Sequence, residues 1–183
     1  MKNNAARTAV IGAALLLFAT IGTACKSMST DELKKSITIE DMETKWVSKY
    51  FQVWPPRLIL VPQISFRVKN TGTQPLTYVN FNAVFSFKGD PENFGDCFLA
   101  AVRGKPVPPG ELSEVITMKS NFGVDGRDLK SIETNPMWKP AETRLFARSK
   151  GSQFILIGIY DISRQIDFKE PEAPQIKKDE GKK

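Results

Sequence analysis

Cys25 and Cys97 are the only cysteines of a 183-residue chain that contains no histidine. Without histidine there can be no Ser-His-Asp or Cys-His nucleophilic centre, the usual zinc-hydrolase ligand sets are gone, and so is the commonest general base. The Gly-Val-Asp-Gly run at 123–126 lacks the Lys-Ser/Thr that completes a phosphate-cradling loop. Asp90, Glu92, Asn93 and Asp96 share the short stretch 89–96, a density of oxygen donors that could gather around Ca²⁺. Their spacing does not follow the EF-hand order, and hairpin loops use Gly, Pro, Asp and Asn for backbone reasons alone. The expectation is a solvated loop, with no metal and no cofactor. A glycosidase carboxylate pair needs no fixed spacing. Most acids here, however, lie in turns or terminal segments where water keeps their chemistry ordinary, so the chain reads as a non-enzyme.

The chemistry that remains is at Cys25, and the segment before it says what that chemistry would be. Lys2 and Arg7 form a positive start, residues 9–21 an apolar run around Leu15-Leu16-Leu17-Phe18, and Gly22-Thr23-Ala24 a stretch of small residues. About 13 apolar residues make a helix of roughly 20 Å, short of the hydrocarbon core near 30 Å, so the segment suits a secretory signal rather than a permanent span. The run Ile21-Gly22-Thr23-Ala24-Cys25 resembles the lipobox of bacterial lipoproteins. The resemblance implies cleavage between Ala24 and Cys25 and a diacylglycerol on the Cys25 thiol. The same small residues also satisfy the rule for ordinary signal cleavage, which would leave Cys25 as the first residue of a released protein. Lys26, where inner-membrane lipoproteins of enteric bacteria carry Asp, implies by the same resemblance the outer membrane, with the protein facing periplasm or cell surface.

Removing the leader lowers the formal charge from +6 to about +4, a modest excess spread along the chain. No basic cluster with interleaved aromatics occurs, so nucleic acid is not an expected partner. With Cys25 lipidated, Cys97 is an unpaired thiol in an apolar stretch, expected to pack as a small hydrophobe, and no disulfide framework supports the fold. Residues 25–43 are polar and read as a lipidated tether, with a turn or two of helix possible from Thr30 as N-cap. Residues 170–183 read as a disordered charged tail.

Between these ends, over residues 44–169, the hydrophobic period is two. Val79, Phe81, Ala83, Phe85 and Phe87 alternate with Asn80, Asn82, Ser86 and Lys88, and Ile64, Phe66 and Val68 alternate with Ser65, Arg67 and Lys69. Each pattern predicts a strand with one buried and one wet face. Strands are expected at 45–54, 57–69, 76–88, 98–103, 111–119, 142–148 and 153–168, with a loop over 120–140 carrying one helical turn at 128–132. About seven short strands separated by turn residues predict an all-β, antiparallel, immunoglobulin-like β-sandwich. The segment Val68-Lys69-Asn70-Thr71-Gly72-Thr73-Gln74-Pro75-Leu76, with the alternating strand after it and Pro108-Pro109-Gly110-Glu111 later, resembles small immunoglobulin-like domains of bacterial envelope proteins such as the FxLYD and CARDB types. That resemblance implies architecture and no catalytic residues.

Two aromatic features could serve a partner. In the first strand, alternation puts Trp46, Tyr50 and Trp54 on one face and Phe51 with Val47 and Val53 on the other, as in a doubly covered strand or an exposed patch. Trp138, in the long loop, is the candidate partner-contact residue, although a loop tryptophan more often plugs the end of a sandwich. The functional expectation is a membrane-anchored envelope lipoprotein acting as a non-catalytic protein-binding or assembly module. The alternatives are a structural lipoprotein or surface antigen without a specific ligand, and a carrier of an apolar ligand. The bulky inward positions Phe66, Phe81, Phe85 and Phe87 favour a filled core over a hollow one.

Overall fold

The computed structural model describes residues 28–171; the cleavage and lipidation residues Ala24 and Cys25 lie outside them. The elements in chain order are α1 (Thr30–Ser36), β1 (Ile37–Gln52), β2 (Arg57–Asn70), β3 (Leu76–Phe87), β4 (Asn93–Val107), β5 (Ile116–Lys119), β6 (Val124–Gly126), α2 (Leu129–Glu133), β7 (Ala141–Ser149), β8 (Ile155–Ile162) and β9 (Ile166–Asp167). One sheet has the order β5-β2-β1-β9, with β6 also on β2; the other has the order β4-β3-β7-β8. Every pairing is antiparallel except that of β1 with β9.

This strand order makes the sandwich immunoglobulin-like. β1, β2 and β5 take the A, B and E positions, and β4, β3, β7 and β8 take C′, C, F and G. The chain crosses between sheets after β2, after β4 and after β6, as Greek-key connections require. β6 continues the course of β5 along β2 after a break, so the two together fill one strand position. Gly123 makes that continuation possible: a Cβ there would stand 1.9 Å from the Leu60 carbonyl oxygen. β9 is an addition outside the seven-position plan.

The predicted alternation of β2 and β3 sets the core. Ile64, Phe66 and Val68 are buried, and they face Phe81, Ala83 and Phe85 across the sandwich, with the Phe66 and Phe81 rings edge to face at 5.1 Å. The interior is filled by these side chains.

Four expectations are corrected. The tether drawn to residue 43 ends much earlier, because the segment from Ser29 is folded. Ser29, rather than Thr30, caps α1 in a reciprocal box with Glu32, Leu33 is fully buried, and β1 already begins at Ile37. The polarity of 38–45 belongs to a strand paired with β2 on both sides of an irregularity at Asp41 and Met42. The long last strand breaks at 163–165: Ser163 N–H donates to Thr44 Oγ1, and the chain crosses to the other sheet, where Trp46 N–H donates to the Gln165 carbonyl. β4 is longer than expected and takes in Asn93 to Asp96 from the acidic stretch, while β5 starts only at Ile116. Finally, register shifts at Glu40/Glu43 and Ser48/Tyr50 break the alternation of β1, so Trp46, Tyr50 and Trp54 do not share one environment. The helical turn expected at 128–132 is present as α2, capped by Asp128.

Candidate interaction site

Three of the four oxygen-donor residues of the acidic stretch are engaged by other side chains. Asp90 accepts from Lys139 Nζ at 3.0 and 3.2 Å, Asn93 Oδ1 accepts from Arg144, and Asp96 Oδ1 accepts from Asn121 Nδ2 at 2.9 Å. Among the described residues no three His, Cys, Asp or Glu side chains come together as metal ligands. Cys97 is half-buried, and burial pushes its thiol pKa up, which keeps it protonated and a poor nucleophile at neutral pH. A cleft of about 660 Å³ lies along the edges of β4 and β5, open to solvent and bordered by Arg103, Lys105, Glu114 and Val115.

Trp138 is not the exposed contact residue that its loop position suggested. It is only 6% exposed and meets Trp46 edge to face at 5.8 Å. The Arg164 guanidinium lies 4.3 Å over its ring and donates to its carbonyl. Turns after α2 fold the chain back, Thr134 N–H donating to Lys130 and Trp138 N–H to Asn135, and so lower the indole onto the end of the core. Trp138 is a plug.

The exposed tryptophan is Trp54. Residues 53–56 form the turn joining β1 to β2, and at its tip Trp54 is 84% exposed and Val53 65% exposed. Leaving an indole in water forgoes roughly 3 kcal/mol of burial that the fold could have used. The turn is nonetheless defined. Gln52 Nε2 donates to the Trp54 carbonyl at 2.8 Å, Tyr50 and Gln52 are hydrogen-bonded side by side, and Arg57 closes on Asp125 of β6 at 2.6 Å. Pro55 and Pro56 add fixed φ angles. An aromatic side chain on a defined turn has only its own two side-chain torsions to fix on docking, which suits an interface centre. The sequence signal was Trp-Pro-Pro-Arg between two alternating runs, a turn signature that places the indole on a tip. It was obscured by treating Trp54 as the last residue of a strand face.

The tip has a fixed relation to the N-terminus. At the opposite end of the sandwich, Thr71 N–H donates to the Ser36 carbonyl, Thr71 Oγ1 to the Lys35 carbonyl and Ser149 Oγ to the Met28 carbonyl. The chain therefore enters the domain beside the β2–β3 and β7–β8 turns. β1 then runs its 16 residues to the tip, about 50 Å at a strand's rise per residue. Phe168 packs on Phe51 at 5.3 Å and Glu170 accepts from the Leu129 N–H, so the start of the expected tail is held at the tip end.

No protein-family model and no curated protein matches the chain. Solved structures similar to it include a Bordetella pertussis protein described provisionally as ApaA, with 13% identity over 70% of this chain and 93% of that one and a TM-score of 0.40. Structural-genomics target SoR45 shares 12% identity over 72% and 89%, with a TM-score of 0.41. The ligand-binding region of serine-glutamate repeat protein A of Enterococcus faecium shares 12% over 69% and 97%, with a TM-score of 0.26. At these scores the likenesses carry no functional argument, and the immunoglobulin-like assignment stands on strand order.

Proposed function

We propose that this chain is an envelope lipoprotein, anchored by lipid on Cys25, whose immunoglobulin-like domain is a non-catalytic module that binds another envelope protein through the β1–β2 hairpin tip. The observation that carries the reading is the placement of Trp54, a nearly fully exposed indole on a hydrogen-bonded turn, at the end of the sandwich remote from the N-terminus. Cys25 precedes Met28 by three residues, so lipid at Cys25 holds the opposite end close to the membrane and the tip far from it. The lipobox-like run and the resemblance to FxLYD and CARDB envelope domains support the same compartment, and the filled core weighs against an apolar-ligand carrier. The test is a photo-crosslinking side chain placed at position 54 or, as a control, at Thr73 on the membrane-side end, in cells making the full chain. A discrete crosslinked envelope protein from position 54 and none from position 73 is expected, together with a diacylglycerol mass on Cys25. An unmodified Cys25, or no crosslink from position 54, would overturn the reading.

A further inference from the structure

The cleft along β4 and β5 is an opening between the edges of the two sheets, tied shut at both ends. At one end Asp96 N–H donates to Asn121 Oδ1 and Asn121 N–H donates to the Asp96 carbonyl. At the other, Asn70 Nδ2 donates to the Val107 carbonyl and Gly110 N–H to the Asn70 carbonyl. Between the ties the cleft follows β4 from Leu99 for about six residues, roughly 20 Å at a strand's rise. Sheets stack about 10 Å apart and paired strands lie about 4.8 Å apart, so a gap between two sheet edges has the width of one interposed strand.

Three observations describe what would fill it. Both main-chain groups of Asp96 point away from β3, and along an antiparallel pair such residues alternate. Those of Phe98 and Ala100 therefore point outward too, and β4 is paired only with β3. Leu99 stands opposite the fully buried Phe81 and so faces the interior, yet Leu99 and Ala101 are only half-buried. On the opposite wall Leu112 and Val115 are 40% and 56% exposed, so the core lacks a cover here. Of the charged groups along the cleft, Lys105 pairs with Glu114 across its mouth at 2.6 Å and Arg67 with Asp41 at 3.8 Å. Arg103 and, at the closed end, Glu111 have no ion-pair partner among the described residues.

We propose that the cleft is a docking site for a short extended segment of another protein, which joins the free edge of β4 as an added strand. The segment lays an apolar side chain over Leu99 and Ala101, sets an acidic one against Arg103 and a basic one against Glu111. The Lys105–Glu114 pair, with both side chains 80% exposed, is weak enough to give way. The residues of this chain after Pro171 fit less well: Glu170 is held to α2 at the tip end, and 177–183 would bring four lysines towards Arg103. The site is separate from the Trp54 tip and does not rest on it.

The test selects displayed random peptides of about twelve residues on the full chain purified from cells, then measures a synthesised binder by titration and by amide hydrogen exchange. A peptide of alternating apolar residues with an acid among them is expected. Its dissociation constant should rise more than about tenfold in Arg103→Glu, an exposed substitution that leaves the fold intact, and stay unchanged in Trp54→Ala. Saturation should slow exchange of the Phe98 and Ala100 amides by about tenfold or more and leave that of Leu99, already bonded to β3, as it was. A library without a micromolar binder, a binder indifferent to Arg103→Glu, or protection confined to other residues would overturn the proposal. So would Phe98 and Ala100 amides that exchange slowly in the free chain and quicken when residues 172–183 are deleted, because the chain's own tail would then fill the cleft. Crosslinking from position 54 is read independently, so failure of this site and failure of the proposed function are told apart.

Discussion

Trp54 and Trp138 belong to the same end of the sandwich and are both followed by proline within two residues, yet one is 84% and the other 6% exposed. The difference lies in what the backbone around each can do. Trp138 follows a short helix whose terminal turns fold back, so its indole is lowered onto Trp46 and roofed by Arg164. Trp54 occupies a four-residue turn between two paired strands, and such a turn projects beyond the sheet with nothing above it among the described residues. The contrast shows that proline-flanked tryptophans in loops are sorted into core and surface by the connection that carries them. It also supplies the tests, because the two side chains should fail in opposite ways.

The largest effect is expected at the plug. Trp138→Ala should lower stability by about 3–5 kcal/mol, as a large aromatic leaving a cavity does. Trp138→Phe should cost much less, since the indole N–H finds no acceptor among the described residues. Equal losses in the two variants, measured by denaturant unfolding, would show that the cavity is not what matters. Leu33→Ala comes next, at about 2–4 kcal/mol, because the side chain is fully buried under the N-terminal end of the core. A loss below about 0.5 kcal/mol would return the segment to the tether. Ser29→Ala removes one half of the capping box and should cost about 1 kcal/mol.

The smallest effect concerns the seam between β1 and β9. The Lys45 ammonium beside Asp167 lowers the carboxyl pKa below its ordinary 3.8, and the same contact raises that of Lys45. A depressed carboxyl stabilises the fold above the unfolded pKa and loses that contribution as pH falls through the folded one. Asp167→Asn should therefore lower the melting temperature slightly at neutral pH, and the gap to wild type should close in acid. The pair is on the surface, so added salt should shrink the gap too. A gap that persists at pH 2 would mean that Asp167 acts through packing.

The sheets were legible because β7, the second half of β2 and the middle of β3 follow period two: Phe66, Phe81, Phe85 and Leu145 are buried where it puts them, although Asn80 and Ser86, expected on the wet face, are buried as well. The helical turn expected at 128–132 falls within one residue of α2. β1 was not, because two register shifts move its side chains between faces and no local pattern announces a bulge. The transfer of β9 to the other sheet depends on tertiary hydrogen bonds, from Ser163 N–H to Thr44 and from Trp46 N–H to the Gln165 carbonyl, that leave no trace in composition. Trp138 left its two roles open for a related reason: exposure of a loop aromatic is decided by a contact with Trp46, 92 positions away along the chain. The two ends of the Trp-Pro-Pro turn were visible, but its role emerged only once β1 was traced from the N-terminal end to the tip.

The central claim is that Trp54 is kept exposed for a partner, and Trp54→Ala tests it most directly when two quantities are measured on the same full-length variant. The unfolding midpoint should stay within about 0.5 kcal/mol of wild type, as for a surface substitution. The complex recovered after in-cell crosslinking should weaken by about 2 kcal/mol or more, the loss expected for an aromatic anchor, which is roughly 30-fold. An unchanged complex, or a stability loss large enough to account for the missing complex, would contradict it.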